Sequence, residues 1–277
     1  MSHFATAVFL KDPADLEAVL APFNEQPGEG SPFLRFVDCT EEVGDKWADP
    51  TTTFGDWCKK DKPERVGKHV KDVYKDKDEF AKGWFGYTQR NGRWGYWDNP
   101  NAKWDWWVIG GRWMGSLIVP ASMSKSDIIH GEPGTMMEPT PERVIVDGKA
   151  CWRVDGCRVG CLDFGAISTL KATEAGEHWD KAKAAVDERI AKIKSGECHR
   201  NVSKTSREQA MADAEAKGLF CFAALTLDGK WMQRGNMGWW GMDDSTKEST
   251  RAHYEAFRDY ITSIPEDTWI IFVDCHI

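Results

Sequence analysis

The two ends of the chain carry the same order of signals, and that order narrows the folds open to it. Residues His3 to Leu10 (HFATAVFL) read as a strand. Asp12-Pro13 then opens a helix over about residues 13–20, with Asp as the cap and Pro at the first helical position. After a Gly- and Pro-rich loop, FLRFVDC (Phe33 to Cys39) reads as a second strand. At the other end, LFCFAALTL (Leu219 to Leu227) is a strand followed by an Asp228-Gly229 turn. Residues 245–264 have helical periodicity, with Ser245 and Glu248 as a capping box. WIIFVDCHI (Trp269 to Ile277) is the last strand. Both second strands finish in Val-Asp-Cys, at Val37-Asp38-Cys39 and Val273-Asp274-Cys275.

The expectation is an α+β fold of two βαβ-like halves sharing a mainly antiparallel sheet, with an inserted helical and β-meander section. The strands at residues 4–10, 33–37, 220–227 and 269–273 should then lie together, with helices 13–20 and 245–264 on one face. Residues 1–277 read as a single composite domain: an N-terminal half 1–43, a loop-rich insertion 44–83, a Trp-rich motif 84–115, a β-meander and helices 142–218, and a C-terminal half 219–277. In the meander, two Asp-Gly pairs at residues 147–148 and 155–156 mark turns. A long helix is expected over about residues 174–194, with Ala175, Trp179, Ala182, Val186, Ile190 and Ile193 as its buried stripe. A second runs from Ser206 to Lys217, capped by Ser206 with Gln209 and stopped at Gly218.

Composition excludes several classes of function. A net charge of −8 without a basic stripe argues against duplex nucleic acid as a partner. No run of about 18 apolar residues is present, so no membrane span is expected. The first residues have no basic start and no long apolar stretch, which points to the cytoplasm. The eight cysteines lack paired Cys-x-x-Cys spacing. Cys157, Cys161 and Cys198-His199 are therefore a poor zinc set, and the cysteines read as thiols. No P-loop, G-x-G-x-x-G, H-E-x-x-H or G-x-S-x-G pattern stands in its required context. No metal and no cofactor is expected; a homo-oligomer is compatible with the sequence.

Tryptophan is the outlier, with 15 in 277 residues. Four of them fall in NPNAKWDWWVIGGRWMG, Asn99 to Gly115. As a strand, Lys103 to Ile109 would place Trp104, Trp106 and Val108 on one face and Lys103, Asp105, Trp107 and Ile109 on the other. Gly110-Gly111 would then allow a turn closed to residues with a Cβ and leave amides open to an anion. Arg112 suits a phosphate or carboxylate, because its planar fork gives two parallel hydrogen bonds. Trp107 or Trp113 would stack on a ring. Asp105 would accept from a ligand hydroxyl or pair with Arg112, and that internal pair would make the stretch a folding device instead. A second stretch, RGNMGWWGM (Arg234 to Met242), adds Arg234, Trp239 and Trp240. Asp274 and His276 point the same way on the last strand, whereas Cys275 and His276 cannot form a local dyad. The candidate ligand-binding residues are Lys103, Trp104, Asp105, Trp107, Arg112, Trp113, Arg234, Trp239, Trp240 and His276, with no catalytic residue assigned.

The run Asn99 to Trp106 with Ile109 to Trp113, the Arg234 to Met242 loop and the closing Val273 to Ile277 together resemble a family of uncharacterised bacteriophage and prophage proteins. The resemblance implies a phage-encoded accessory protein acting in the host cytoplasm. One class of such proteins sequesters nucleotide-derived immune signals, and a Trp- and Arg-lined pocket suits a small anionic, nucleotide-like ligand. Two other readings stand beside it: a nucleotide hydrolase or phosphodiesterase using Asp274, His276 and Asp38, and a factor that meets a host protein through exposed aromatics.

Overall fold

The computed structural model describes residues 2–134, 142–192 (backbone only from 186), 206–238 and 241–277. The chain is α+β, and its contacts divide it into two compact units. One comprises residues 1–21 with 104–277, and the other residues 22–103.

The larger unit is built around the last strand, Trp269–His276. All eight of its residues are buried. It pairs antiparallel with the first strand, His3–Leu10, along its whole length, from His3 opposite His276 to Leu10 opposite Trp269. The strand Ala223–Leu225 lies parallel to the first strand on its outer side and turns back through Gly229 to Trp231–Gln233. On its other side the last strand changes partner midway. Trp106–Ile109 pairs with residues 273–276, and Gly156–Arg158 pairs with residues 269–271.

One face of this sheet carries Ala5, Ala7, Phe9, Ala224, Ile270 and Phe272 into the main core. The helix Lys247–Ser263 covers it with Phe257, Ile261 and Tyr260, the last with its ring 5.1 Å from that of Phe9. The cap of this helix is Thr246, reciprocated by Ser249, one residue later than the Ser245–Glu248 box expected from sequence. Ser245 bonds Asp243 instead. The helix Arg207–Lys217 is capped by Ser206, whose hydroxyl accepts from Gln209 N at 3.2 Å. The long helix begins ten residues before its expected start, at Phe164, because Asp163 accepts from Ala166 N at 2.8 Å and caps it there. Its buried side runs through Ala166, Ile167, Ala172 and Gly176, and Ala182 is exposed. Val186, Ile190 and Ile193 lie outside the described side chains.

Of the two Asp-Gly pairs, only Asp147-Gly148 makes a hairpin. Both residues have positive φ, and the strands Arg143–Val146 and Lys149–Val154 pair across them. Asp155-Gly156 continues instead into the main sheet, and the Asp155 carboxylate turns inward.

The smaller unit holds a three-stranded antiparallel sheet in which Arg93–Asp98 lies between Arg35–Asp38 and Thr88–Arg90. The segment Phe33–Val37 therefore belongs to a different sheet from the first and last strands. The shared Val-Asp-Cys endings do not mark two copies of one arrangement. This unit also has its own aromatic core of Val43, Phe54, Val70, Tyr74, Phe80 and Trp94. Trp47 and Trp84 pack against that core, which accounts for part of the tryptophan excess as ordinary burial.

Candidate functional site

The candidate site forms where the first, last and tryptophan strands meet. Antiparallel pairing sets His3 directly opposite His276, and Trp106 lies opposite His276 on the other side. Paired residues share a face, so His3, His276, Asp274 and Trp106 project to the same side. The imidazoles of His3 and His276 meet edge to face with centroids 4.8 Å apart. Trp106 stacks on His276 at 5.2 Å and meets His3 edge-on at 5.4 Å.

Each histidine has its own carboxylate. His3 Nδ1 lies 2.9 Å from Asp274 Oδ1, and His276 Nδ1 lies 2.6 Å from Asp105 Oδ1. An ionised carboxylate only accepts, so both rings carry a proton on Nδ1, and in the neutral ring Nε2 keeps its lone pair. His276 Nε2 is buried and has no hydrogen-bond partner among the described residues.

The glycine pair of the tryptophan motif explains how Asp274 is held. At Gly110 and Gly111, both with positive φ, the tryptophan strand leaves the last strand just where the latter changes partner. Arg112 N then donates to Asp274 Oδ2 at 3.0 Å. A Cβ on Gly111 would lie 2.3 Å from Asp274 Cβ, and one on Gly110 would lie 3.0 Å from the carboxyl carbon of Asp155. Asp155, itself buried, accepts from Gly115 N at 2.6 Å and Gly131 N at 2.7 Å. Burial pushes its carboxyl above the usual range against the pull of those two amides. The turn thus closes over two buried aspartates, and only glycine fits at either step.

Beside His3 opens a cleft of about 220 Å³, lined by His3, Trp113, Phe222, Arg234 and Asp243 among others. Arg234 Nη2 donates to Asp243 Oδ2 at 2.7 Å, and its guanidinium carbon lies 5.1 Å from the Phe222 ring centroid. Its Nε is buried with no partner among the described residues. Burial would raise the Asp243 carboxyl, but hydrogen bonds from Ser245 and Arg234 outweigh it and hold it below its ordinary value.

The residues singled out from sequence part company here. Asp105 and His276 form one ion-pair geometry, and Trp113 and Arg234 line the adjoining cleft. Asp105 pairs with neither a ligand group nor Arg112. The guanidinium of Arg112 is on an exposed residue, and the backbone amide makes the buried contact. Trp107 lies opposite Cys275, on the reverse face of the sheet from the histidines, so the stacking position beside them belongs to Trp106. Trp104 is buried, with its Nε1 unpaired among the described residues. Lys103 belongs to the smaller unit, where its amide donates to Phe23 O at 2.8 Å. Asp38 also lies in that unit, 3.1 Å from Arg93 in an exposed ion pair. Trp239 and Trp240 lie outside the described residues.

Sequence reasoning missed His3, Trp106, Asp155 and Asp243 as members. For His3 a signal existed: a histidine at the start of one apolar strand and another at the end of a second meet if the two strands pair antiparallel. Among the described residues no group of three or more His, Cys, Asp or Glu side chains is placed to hold a metal ion. No described helix is long and apolar enough to cross a membrane. Comparison of the chain with family models, curated proteins and solved structures found no match.

Proposed function

We propose that this protein binds a small anionic, nucleotide-like ligand in the cleft beside His3, with Arg234 taking the anion and Trp113 offering a ring face. The observation that carries the reading is the state of Arg234. Asp243 and the Phe222 ring hold its guanidinium in place, yet the buried Nε donor has no acceptor among the described residues. Leaving such a donor unsatisfied costs about 1–3 kcal/mol, which an oxygen of a phosphate or carboxylate would recover. The cleft is smaller than the roughly 300–1,000 Å³ of drug-sized sites. That size suits a phosphate with its adjoining sugar or ring. The resemblance of the Asn99–Trp113 run to phage proteins extends the proposal: a phage accessory protein in the host cytoplasm that sequesters a nucleotide-type signal, with no need for duplex nucleic acid.

Tryptophan fluorescence and calorimetric titration with inorganic phosphate, 5′-AMP and 3′,5′-cyclic AMP test this. We expect saturable binding of at least one nucleotide. Arg234→Gln should weaken it about ten- to hundredfold, the equivalent of a lost charged hydrogen bond. Trp113→Ala should weaken the nucleotide but not phosphate. No binding of any probe at millimolar concentration, or unchanged affinity in a folded Arg234→Gln protein, refutes the assignment.

A further inference from the structure

We infer that the two histidine–aspartate pairs form an acid–base couple that hydrolyses a phosphodiester presented by the Arg234 cleft. The inference rests on the binding reading and adds a reaction to it. A lone buried histidine with one hydrogen bond is a common packing element. Two histidines paired across adjacent strands, each with Nδ1 held by a separate carboxylate and with touching rings, are not explained by packing. The arrangement leaves both Nε2 atoms to one small region. The His276 Nε2 is enclosed without a partner, although a nearby acceptor or donor would have removed that cost. Holding Nδ1 by a carboxylate sets the tautomer and orients the ring, which is what a proton-transfer group requires.

The roles follow from access. His3 lines the cleft and is the more exposed of the two, with its side chain 11 % exposed against 6 % for His276. His3 Nε2 removes a proton from the attacking water as the water oxygen bonds to phosphorus. The ester P–O bond breaks, and the departing oxygen takes the Nε2 proton of the His276 imidazolium, whose charge Asp105 balances. Diester and water become a phosphomonoester and an alcohol. His3 is left protonated and His276 neutral, and one proton passed from the first ring to the second restores the start. Arg234 faces the phosphate and offsets its charge. Asp274 and Asp105 are positioning residues, and Trp106, stacked on His276, holds that ring in its plane.

The leaving group separates the two roles. Thymidylyl-(3′→5′)-thymidine departs as an alkoxide and needs an acid; thymidine 5′-(4-nitrophenyl phosphate) departs as a stable phenolate and does not. Turnover of both is measured with wild type, His3→Gln and His276→Gln, alongside binding by tryptophan fluorescence and thermal melting. The expected result is cleavage of both substrates by wild type. His3→Gln should lose about 10²–10⁴-fold on both, the usual contribution of a general base. His276→Gln should lose as much on the dinucleotide but less than about tenfold on the nitrophenyl ester. Asp105→Asn should follow His276→Gln in its substrate dependence, which a merely structural role would not produce. If wild type binds the dinucleotide but cleaves neither substrate, the catalytic inference falls and the binding reading stands. Equal losses on both substrates in a folded His276→Gln protein overturn the acid role. Absence of both binding and cleavage removes the two readings together.

Discussion

Replacing Gly111 with alanine probes the device that holds Asp274, and its cost can be worked from the geometry. Gly111 has φ +55°, a conformation that costs a residue with a Cβ roughly 1–2 kcal/mol. The new methyl would also lie 2.3 Å from Asp274 Cβ and 2.5 Å from its Oδ2. Carbon atoms rest at about 3.5–4.0 Å, so a shift of more than about 1 Å is required. Asp274 is fully buried on the central strand and cannot give way alone. Overpacking of this kind costs about 1–3 kcal/mol. Together Gly111→Ala should destabilise the protein by about 2–5 kcal/mol. Arg112→Ala is the control. The Asp274 contact uses the backbone amide, which alanine keeps, and the side chain is on an exposed residue, so the change should stay within about 0.5 kcal/mol. Urea unfolding followed by tryptophan fluorescence measures both. A Gly111→Ala protein as stable as wild type, or an Arg112→Ala protein that loses more than Gly111→Ala, would refute the account. The second outcome would return the motif to an Arg112-centred arrangement.

Two further expectations concern titration and thiol chemistry. Burial lowers the His253 pKa from its ordinary 6.5, against a hydrogen-bonding contact with the Cys221 carbonyl that pulls it up. The unfolded chain then binds the extra proton first as pH falls below about 6.5, so His253 withdraws stability between that pH and its lower folded value. His253→Gln should flatten the wild-type loss of stability across that window in urea titrations at a series of pH values, and an unchanged slope would contradict it. Asp155 has the opposite sign: its raised pKa favours the fold at low pH and loses that contribution as pH rises above the ordinary 3.8. Seven described cysteines stand as free thiols, and Cys58, Cys151, Cys157, Cys221 and Cys275 are buried. Burial pushes Cys157, Cys221 and Cys275 up to about 12. Brief iodoacetamide treatment at pH 8 followed by mass spectrometry should leave those five unmodified in the native protein. In denaturant they should all react, and labelling of Cys221 or Cys275 in the fold would contradict their placement.

Local chemistry determined a good part of this protein without help from the rest of the chain. Alternation and β-branched content mark the first and last strands. Asp12 with Pro13, and Ser206 with Gln209, start helices because a short side-chain oxygen satisfies amides within three residues of itself. Asp147-Gly148 makes a hairpin because both residues tolerate positive φ. The same alternation puts Asp274 and His276 on one side of the last strand, as found. The tertiary structure alone decided which strands share a sheet. Phe33–Val37 has strand composition, but the hydrogen bonds that sent it to Arg93–Asp98 are made with residues far along the chain. It also decided the meaning of Asp155-Gly156 and Gly110-Gly111. A turn signal describes what a backbone can do, and here the buried aspartates and the swap of partners along the last strand select a different use. The candidate site belongs almost wholly to this second class. His3 and His276 are 273 positions apart in sequence, and their contact follows from antiparallel register, a ladder of backbone bonds that carries no residue signature. Asp105 reached His276 instead of Arg112 because Gly110 and Gly111 carry the chain away from the strand before Arg112 could turn back to it.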